Sequence, residues 1–223
     1  MVQLSVTIQG TGDLHPANVL SPPDDPSTVK DPPVHYVVMD IETFGGVKSR
    51  DRSEFVRTSQ FICACTYDSE TDWTYHYGPE DLDRLVAHLE AAECVVSFNG
   101  KGYDMPVLEH LIGRKLALKR HFDLFEMLVN VTGELRGYGL GNVSQLSLGY
   151  GKIGKGVLAA GLYEKALTGG PDGVAALFEL IVYCAHDVRL TRQLLRFAQR
   201  HKFLIGPNGP VNLLLPDTFV RLA

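Results

Sequence analysis

Nowhere in the 223 residues does an apolar run reach the about 18 residues that a membrane-crossing helix needs, so no membrane partner is expected. The opening stretch, MVQLSVTIQGTGD, lacks the basic start and apolar core of a secretory signal, which points to a cytoplasmic protein. Cysteine is scarce. Cys63, Cys65, Cys94 and Cys184 lie inside apolar segments, without the spacing of a disulfide or metal framework. Reduced, buried thiols follow from that placement. Positive charge is not in excess either: 21 Lys and Arg against 26 Asp and Glu leave a net charge of −5. That balance excludes a broadly basic nucleic-acid coat, but not an enzyme that grips a nucleic-acid end through bound metal ions. Apolar residues are plentiful, 45% of the chain, enough for one substantial core.

Residues 1–33 hold six of the 12 prolines and show no periodicity, so they read as an extended N-terminal arm. Order begins at His35. HYVVMDIE, QFICACTY (60–67) and DWTYHY (72–77) have the apolar and aromatic content of strands. PEDLDRLVAHLEAA (79–92) starts with proline and acidic residues, as helices do. ECVVSFN (93–99) and KRHFDL (119–124) read as further strands, and DMPVLEHLIG (104–113) as a helix closed by Gly113. Residues 173–202 predict a long amphipathic helix with a break near its middle. Residues 133–156 predict loops with one short helix around NVSQLSLG. The tail after Gly206 (206–223) reads as irregular. Three strands followed by alternating strands and helices predict an α/β domain over 34–205, with a mixed five-stranded sheet flanked by helices.

VVMDIETFGG (37–46) ends an apolar strand in two carboxylates. Residues two apart share a strand face, so Asp40 and Glu42 stand side by side and need a shared proton or a cation. Asp104 follows a strand on a glycine-bearing turn, FNGKGYD, where a plain helix cap is the competing reading. Tyr183 and Asp187 are four apart and share a helix face. Four carboxylates gathered in one cleft would require divalent metal, and oxygen-only ligation suits Mg²⁺ or Mn²⁺. Two such ions about 4 Å apart stabilise the attacking and leaving oxygens of a phosphoryl displacement.

D-I-E-T at 40–43, N-G-x-x-Y-D at 99–104 and Y-x-x-x-D at 183–187 resemble the three motifs of the DEDD exonuclease superfamily. The likeness is to its tyrosine branch, as in the proofreading domains of family B DNA polymerases, over roughly residues 34–200. The resemblance implies an RNase H-like fold and a two-metal 3′–5′ exonuclease that releases nucleoside monophosphates. It implies Asp40, Glu42 and Asp187 on one metal, Asp40 bridging to a second, and Asp104 holding that second ion. Tyr183 would orient the attacking water. The histidine branch puts its base five residues before the last aspartate, which here is Val182, whereas His186 is turned about 100° from Asp187. Thr43 and Phe44 would meet the terminal nucleotide, Asn99 would contact substrate or brace its turn, and Asp123 would support the site or cap a helix. The expected partner is the 3′ end of nucleic acid, with single-stranded DNA favoured and RNA the alternative. No polymerase domain fits in the remaining chain, which leaves a polymerase or repair protein in trans as the candidate protein partner. An RNase H- or resolvase-type endonuclease, and a non-catalytic nucleic-acid- or partner-binding module, are the competing functions.

Other features carry less. RKLALKRH (114–121), Lys152 and Lys155 could meet phosphates or be ordinary solvated charge. GYGKIGK (149–155) nearly matches a phosphate cradle, but residue 156 is glycine and the preceding residues are not strand-like. Cys63 and Cys65 share a strand face without the partners of a zinc set, which leaves core packing.

Overall fold

A computed structural model describes residues 7–9, 34–46, 52–153 and 156–215. At its centre lies β2 (Tyr36–Phe44), with β3 (Gln60–Asp68) antiparallel on one side and β5 (Cys94–Ser97) parallel on the other. β4 (Trp73–Tyr77) continues outward from β3, and β6 (His121–Asp123) lies parallel beyond β5. These five strands form the expected mixed sheet. A sixth, β1 (Thr7–Gln9), pairs with the free edge of β4, so part of the segment expected as an arm belongs to the sheet. The other residues of 1–33 lie outside the described residues.

Alternation along β2 sorts its side chains into two cores. Val37, Met39 and Ile41 pack with Leu85, Leu89, Val107 and Leu108, which come from α2 (Leu82–Ala91) and α3 (Asp104–Ile112). Tyr36 and Val38 face the other way, into a larger core dominated by α7 (Gly170–His201). α7 is one unbroken helix of 32 residues, about 48 Å long. The expected break does not exist. Between Leu180 and Thr191 nearly every residue is buried, because β2 and β3 cover one side while α5 (Leu140–Leu148) and α6 (Gly156–Ala166) cover others. Burial on several sides removes the polar stripe that a sequence reader uses to trace a helix.

Three helices lie in stretches that carried no helical expectation: α1 (Arg52–Thr58) after β2, α4 (Leu124–Thr132) after β6, and α6 ahead of α7. The tail after Gly206 is not irregular throughout. Strand β8 (Gly209–Asn212) folds back on β7 (Phe203–Gly206) around Pro207 and Asn208. Residues 216–223 lie outside the described residues. Among the described residues, no helix is long and apolar enough to cross a membrane.

Candidate active site

Asp40 and Glu42 point from β2 to the α7 side of the sheet. There the strand pairing with β3 slips: Glu42 faces Cys63, yet Thr43 faces Phe61, leaving Ile62 as an extra residue. A bulge of this kind re-aims the side chains beside it.

Asp104 is delivered by the turn after β5. Asn99 takes a left-handed conformation (φ 69°), which asparagine tolerates better than most residues. At Gly100 a Cβ would lie 2.5 Å from the Ser97 Oγ, so no side chain fits there. The turn is tied down by Asp123. Its buried carboxylate accepts from the backbone N–H groups of Asn99 (2.8 Å) and Lys101 (2.8 Å), and from Phe125 (3.0 Å) and Glu126 (3.2 Å) at the start of α4. Asp123 is thus helix cap and turn brace together. Asp104 Oδ1 accepts from the Ile41 backbone N–H at 3.0 Å, midway between Asp40 and Glu42, which fixes α3 against β2.

From the opposite side α7 contributes Tyr183, Cys184 and Asp187, all buried. Three segments far apart in sequence therefore bring Asp40, Glu42, Asp104, Tyr183 and Asp187 into one cluster. Its electrostatics are those of crowded anions. Burial, then the negative charges of Asp104, Asp187 and Glu42, push the Asp40 carboxyl well above the usual range. Burial and Asp187 raise Glu42 to about 8. Burial raises Asp104 to about 7, against the stabilising N–H of Ile41. Asp187 rises to about 6 through burial, with Lys152 opposing the shift.

Lys152 is the cation that sequence reasoning did not place here. Its Nζ is ion-paired to Asp187 Oδ2 and lies 5.1 Å from the centre of the Tyr183 ring. It reaches the cluster from a glycine loop after α5, held to α7 where His186 Nε2 meets the Gly151 carbonyl at 3.1 Å. His186 thus faces that loop. The same loop follows a helix that ends at Gly149, not a strand, so it is no nucleotide cradle. One lysine does not complete the cluster: Asp187 Oδ1 and the Tyr183 hydroxyl are buried with no hydrogen-bond partner. Unpaired buried oxygens beside carboxylates of raised pKa fit divalent cations with oxygen ligands. Asp40, Glu42 and Cys184 each offer a donor atom within 4.8 Å of the others.

The remaining expected residues lie at the rim. Thr43 Oγ1 is hydrogen-bonded to the Tyr103 hydroxyl, and the Tyr103 ring sits 5.5 Å from that of Phe55. Phe44 leans on Tyr163 of α6 at 5.3 Å. No role was expected for Tyr103 or Tyr163, although Tyr103 is the tyrosine of the N-G-x-x-Y-D motif. The basic run 114–121 is occupied elsewhere. Arg114 pairs with Glu90 (2.5 Å), Lys115 with Glu109 (2.5 Å) and Arg120 with Glu93 (3.8 Å), ahead of β6 and at the end of the sheet away from the carboxylates. Lys155 lies outside the described residues.

Among solved structures, the family B DNA polymerase from the hyperthermophilic archaeon Pyrobaculum calidifontis matches with a TM-score of 0.55 and 16% sequence identity. The match covers 76% of this chain but only 24% of that one, so the likeness is one of fold over part of the polymerase. No curated protein matches the chain by sequence. The family model RNase_H_2, described as RNase_H superfamily, matches residues 37–199, which hold the whole cluster and the five-stranded sheet. The chain belongs to the RNase H superfamily.

Proposed function

We propose that the protein is a metal-dependent 3′–5′ exonuclease that hydrolyses the terminal phosphodiester of nucleic acid, single-stranded DNA in preference to RNA, and releases nucleoside monophosphates. One observation carries this reading: the buried Tyr183 hydroxyl, without a hydrogen-bond partner of good geometry, stands beside Asp187 and Glu42, with Lys152 the neighbouring cation. A resolvase-type endonuclease has no use for a phenol there, and a binding module has no use for four buried carboxylates.

Asp40, Glu42 and Asp187 would hold one divalent ion, with Asp40 shared and Asp104 supporting a second. Bound Mg²⁺ or Mn²⁺ supplies charge neutralisation at the phosphate and a lowered pKa for water. Tyr183 holds and orients that water through its hydroxyl. Burial, and after it the Asp187 charge, keep the Tyr183 phenol above its ordinary pKa, so it stays a neutral donor and acceptor. Thr43 and Phe44, the two residues after Glu42, seat the terminal nucleotide, and Asn99 meets its sugar or phosphate. Lys152, ion-paired to Asp187, lowers the cost of gathering the anions before metal arrives.

The test uses 5′-labelled single-stranded DNA and RNA with Mg²⁺, Mn²⁺ or EDTA, and an Asp40→Ala protein alongside. The expected result is a metal-dependent ladder shortening from the 3′ end, absent in the variant. Internal cuts would move the assignment to an endonuclease. Binding without cleavage would move it to a non-catalytic module.

A further inference from the structure

Cys184 brings a soft atom to the oxygen-lined cluster, with the thiols of Cys63 and Cys65 beside it. Its Sγ lies 3.9 Å from Asp40 Oδ2 and 3.5 Å from the Asp40 backbone oxygen. With one oxygen each from Asp40 and Glu42 it forms the only group of three potential metal donors within 4.8 Å among the described residues. Cys63 and Cys65 sit opposite Glu42 and Asp40 across the β2–β3 ladder, yet fall outside that group. Beside it, Asp187 Oδ1 and the Tyr183 hydroxyl are unpartnered, on residues 2% and 1% exposed.

We propose that Cys184 makes this site a trap for thiophilic divalent cations of the Zn²⁺ and Cd²⁺ class, which take Asp40, Glu42 and Cys184 as ligands and displace the working ion. The inference rests on the carboxylate cluster being a metal site, as proposed above. A tetrahedral centre with a metal–sulfur bond of about 2.3 Å and metal–oxygen bonds of about 2.0 Å has a sulfur–oxygen edge near 3.5 Å. The observed 3.9 Å closes to that with a shift of a few tenths of an ångström. Mg²⁺ and Mn²⁺ prefer oxygen and leave the thiol protonated, a weak neutral neighbour. With a thiophilic ion the S–H bond breaks as the metal–sulfur bond forms, and one proton leaves to solvent per ion bound. No redox change is involved. The same carboxylates would then serve two ions with opposite results, the hard one productive and the soft one blocking.

The test titrates Cd²⁺ into the full-length protein and follows the ultraviolet sulfur-to-cadmium charge-transfer band, while Mn²⁺ binding is read independently by electron paramagnetic resonance. The expected wild-type band saturates at one Cd²⁺ and expels bound Mn²⁺. It is lost in Cys184→Ser and Asp40→Asn and kept in Cys63→Ala and Cys65→Ala. Cd²⁺ affinity falls roughly tenfold or more in Cys184→Ser, while Mn²⁺ affinity falls far less. Mn²⁺ binding without a cadmium band in the wild type overturns the thiol ligand alone. Absence of Mn²⁺ binding overturns the metal site itself. A band that survives Cys184→Ser, or vanishes in Cys63→Ala, places the sulfur ligand elsewhere and also overturns the proposal. If Cys184→Ser fails to fold, Cys184→Ala serves in its place, and a wild-type protein that binds Mn²⁺ without a cadmium band overturns the proposal without any variant.

Discussion

Tyr183 combines full burial with an oxygen that bonds to nothing, an arrangement that costs stability and persists where something else needs the oxygen. Removing that oxygen separates the two contributions. Tyr183→Phe is expected to lower turnover about 100-fold or more, since it deletes the group that orients the water. Because no hydrogen bond is lost, its melting temperature should equal or slightly exceed that of the wild type. Equal activity in the two proteins would remove Tyr183 from the chemistry. At this scale much of the cluster was legible. The two-residue period of a strand fixed the shared face of Asp40 and Glu42, and the four-residue period of a helix fixed that of Tyr183 and Asp187. By the same helical spacing Cys184, three before Asp187, could have been placed there. Lys152 could not. It arrives on a loop whose position depends on the contact between His186 and Gly151, 35 residues apart, and no local pattern encodes that.

Helices were legible where one face meets core and the other meets water, and illegible where that contrast fades. α2 shows the contrast, whereas β2 and β3, buried on both faces, were legible as short apolar and aromatic runs. The middle of α7 loses the contrast through burial on several sides. α4 opens with LFEMLVNVT, as apolar as a strand, and only the cap at Asp123 marks it as a helix. The β7–β8 hairpin had a signal in its two-residue turn, Pro207-Asn208, masked by Pro210 inside the second strand. Asp123 links several of these elements, because one carboxylate joins β6, the turn that carries Asp104 and the first turn of α4. Asp123→Ala strips an acceptor from four backbone N–H groups and should cost about 2–4 kcal/mol in urea unfolding. Asp123→Asn, which keeps one acceptor oxygen, should lie between. In both variants metal affinity should drop together with stability, since Asp104 loses its brace. Unchanged metal binding in a destabilised Asp123→Ala protein would reduce the residue to a helix cap.

For the whole molecule the acid cluster ties stability to pH and to metal. Carboxyls of ordinary pKa near 4 in the unfolded chain are raised on folding: Asp187 to about 6, Asp104 to about 7, Glu42 to about 8, and Asp40 upward as well. Between the unfolded and folded values the folded protein therefore holds more protons than the unfolded chain. Its stability is greatest below about pH 4 as far as these groups go, and falls as pH rises through about 8. Asp68, at the far end of β3, runs the other way. Burial opposes its ionisation, but hydrogen bonds from His88 and the Glu70 backbone outweigh it and bring the carboxyl to about 2. Its contribution is present above its unfolded value near 4 and is lost only as pH drops toward 2, outside the window of the cluster. In EDTA the melting temperature is thus expected to decline steadily from about pH 5 to about pH 8. Saturating Mn²⁺ takes up the same carboxylates in their charged form, so its stabilisation grows with pH and flattens or reverses the decline. Glu42→Gln removes one of the raised acids and should make the EDTA profile shallower. A flat EDTA profile in the wild type, or a Mn²⁺ effect that does not grow with pH, would mean that the four carboxylates do not act as one metal-demanding cluster.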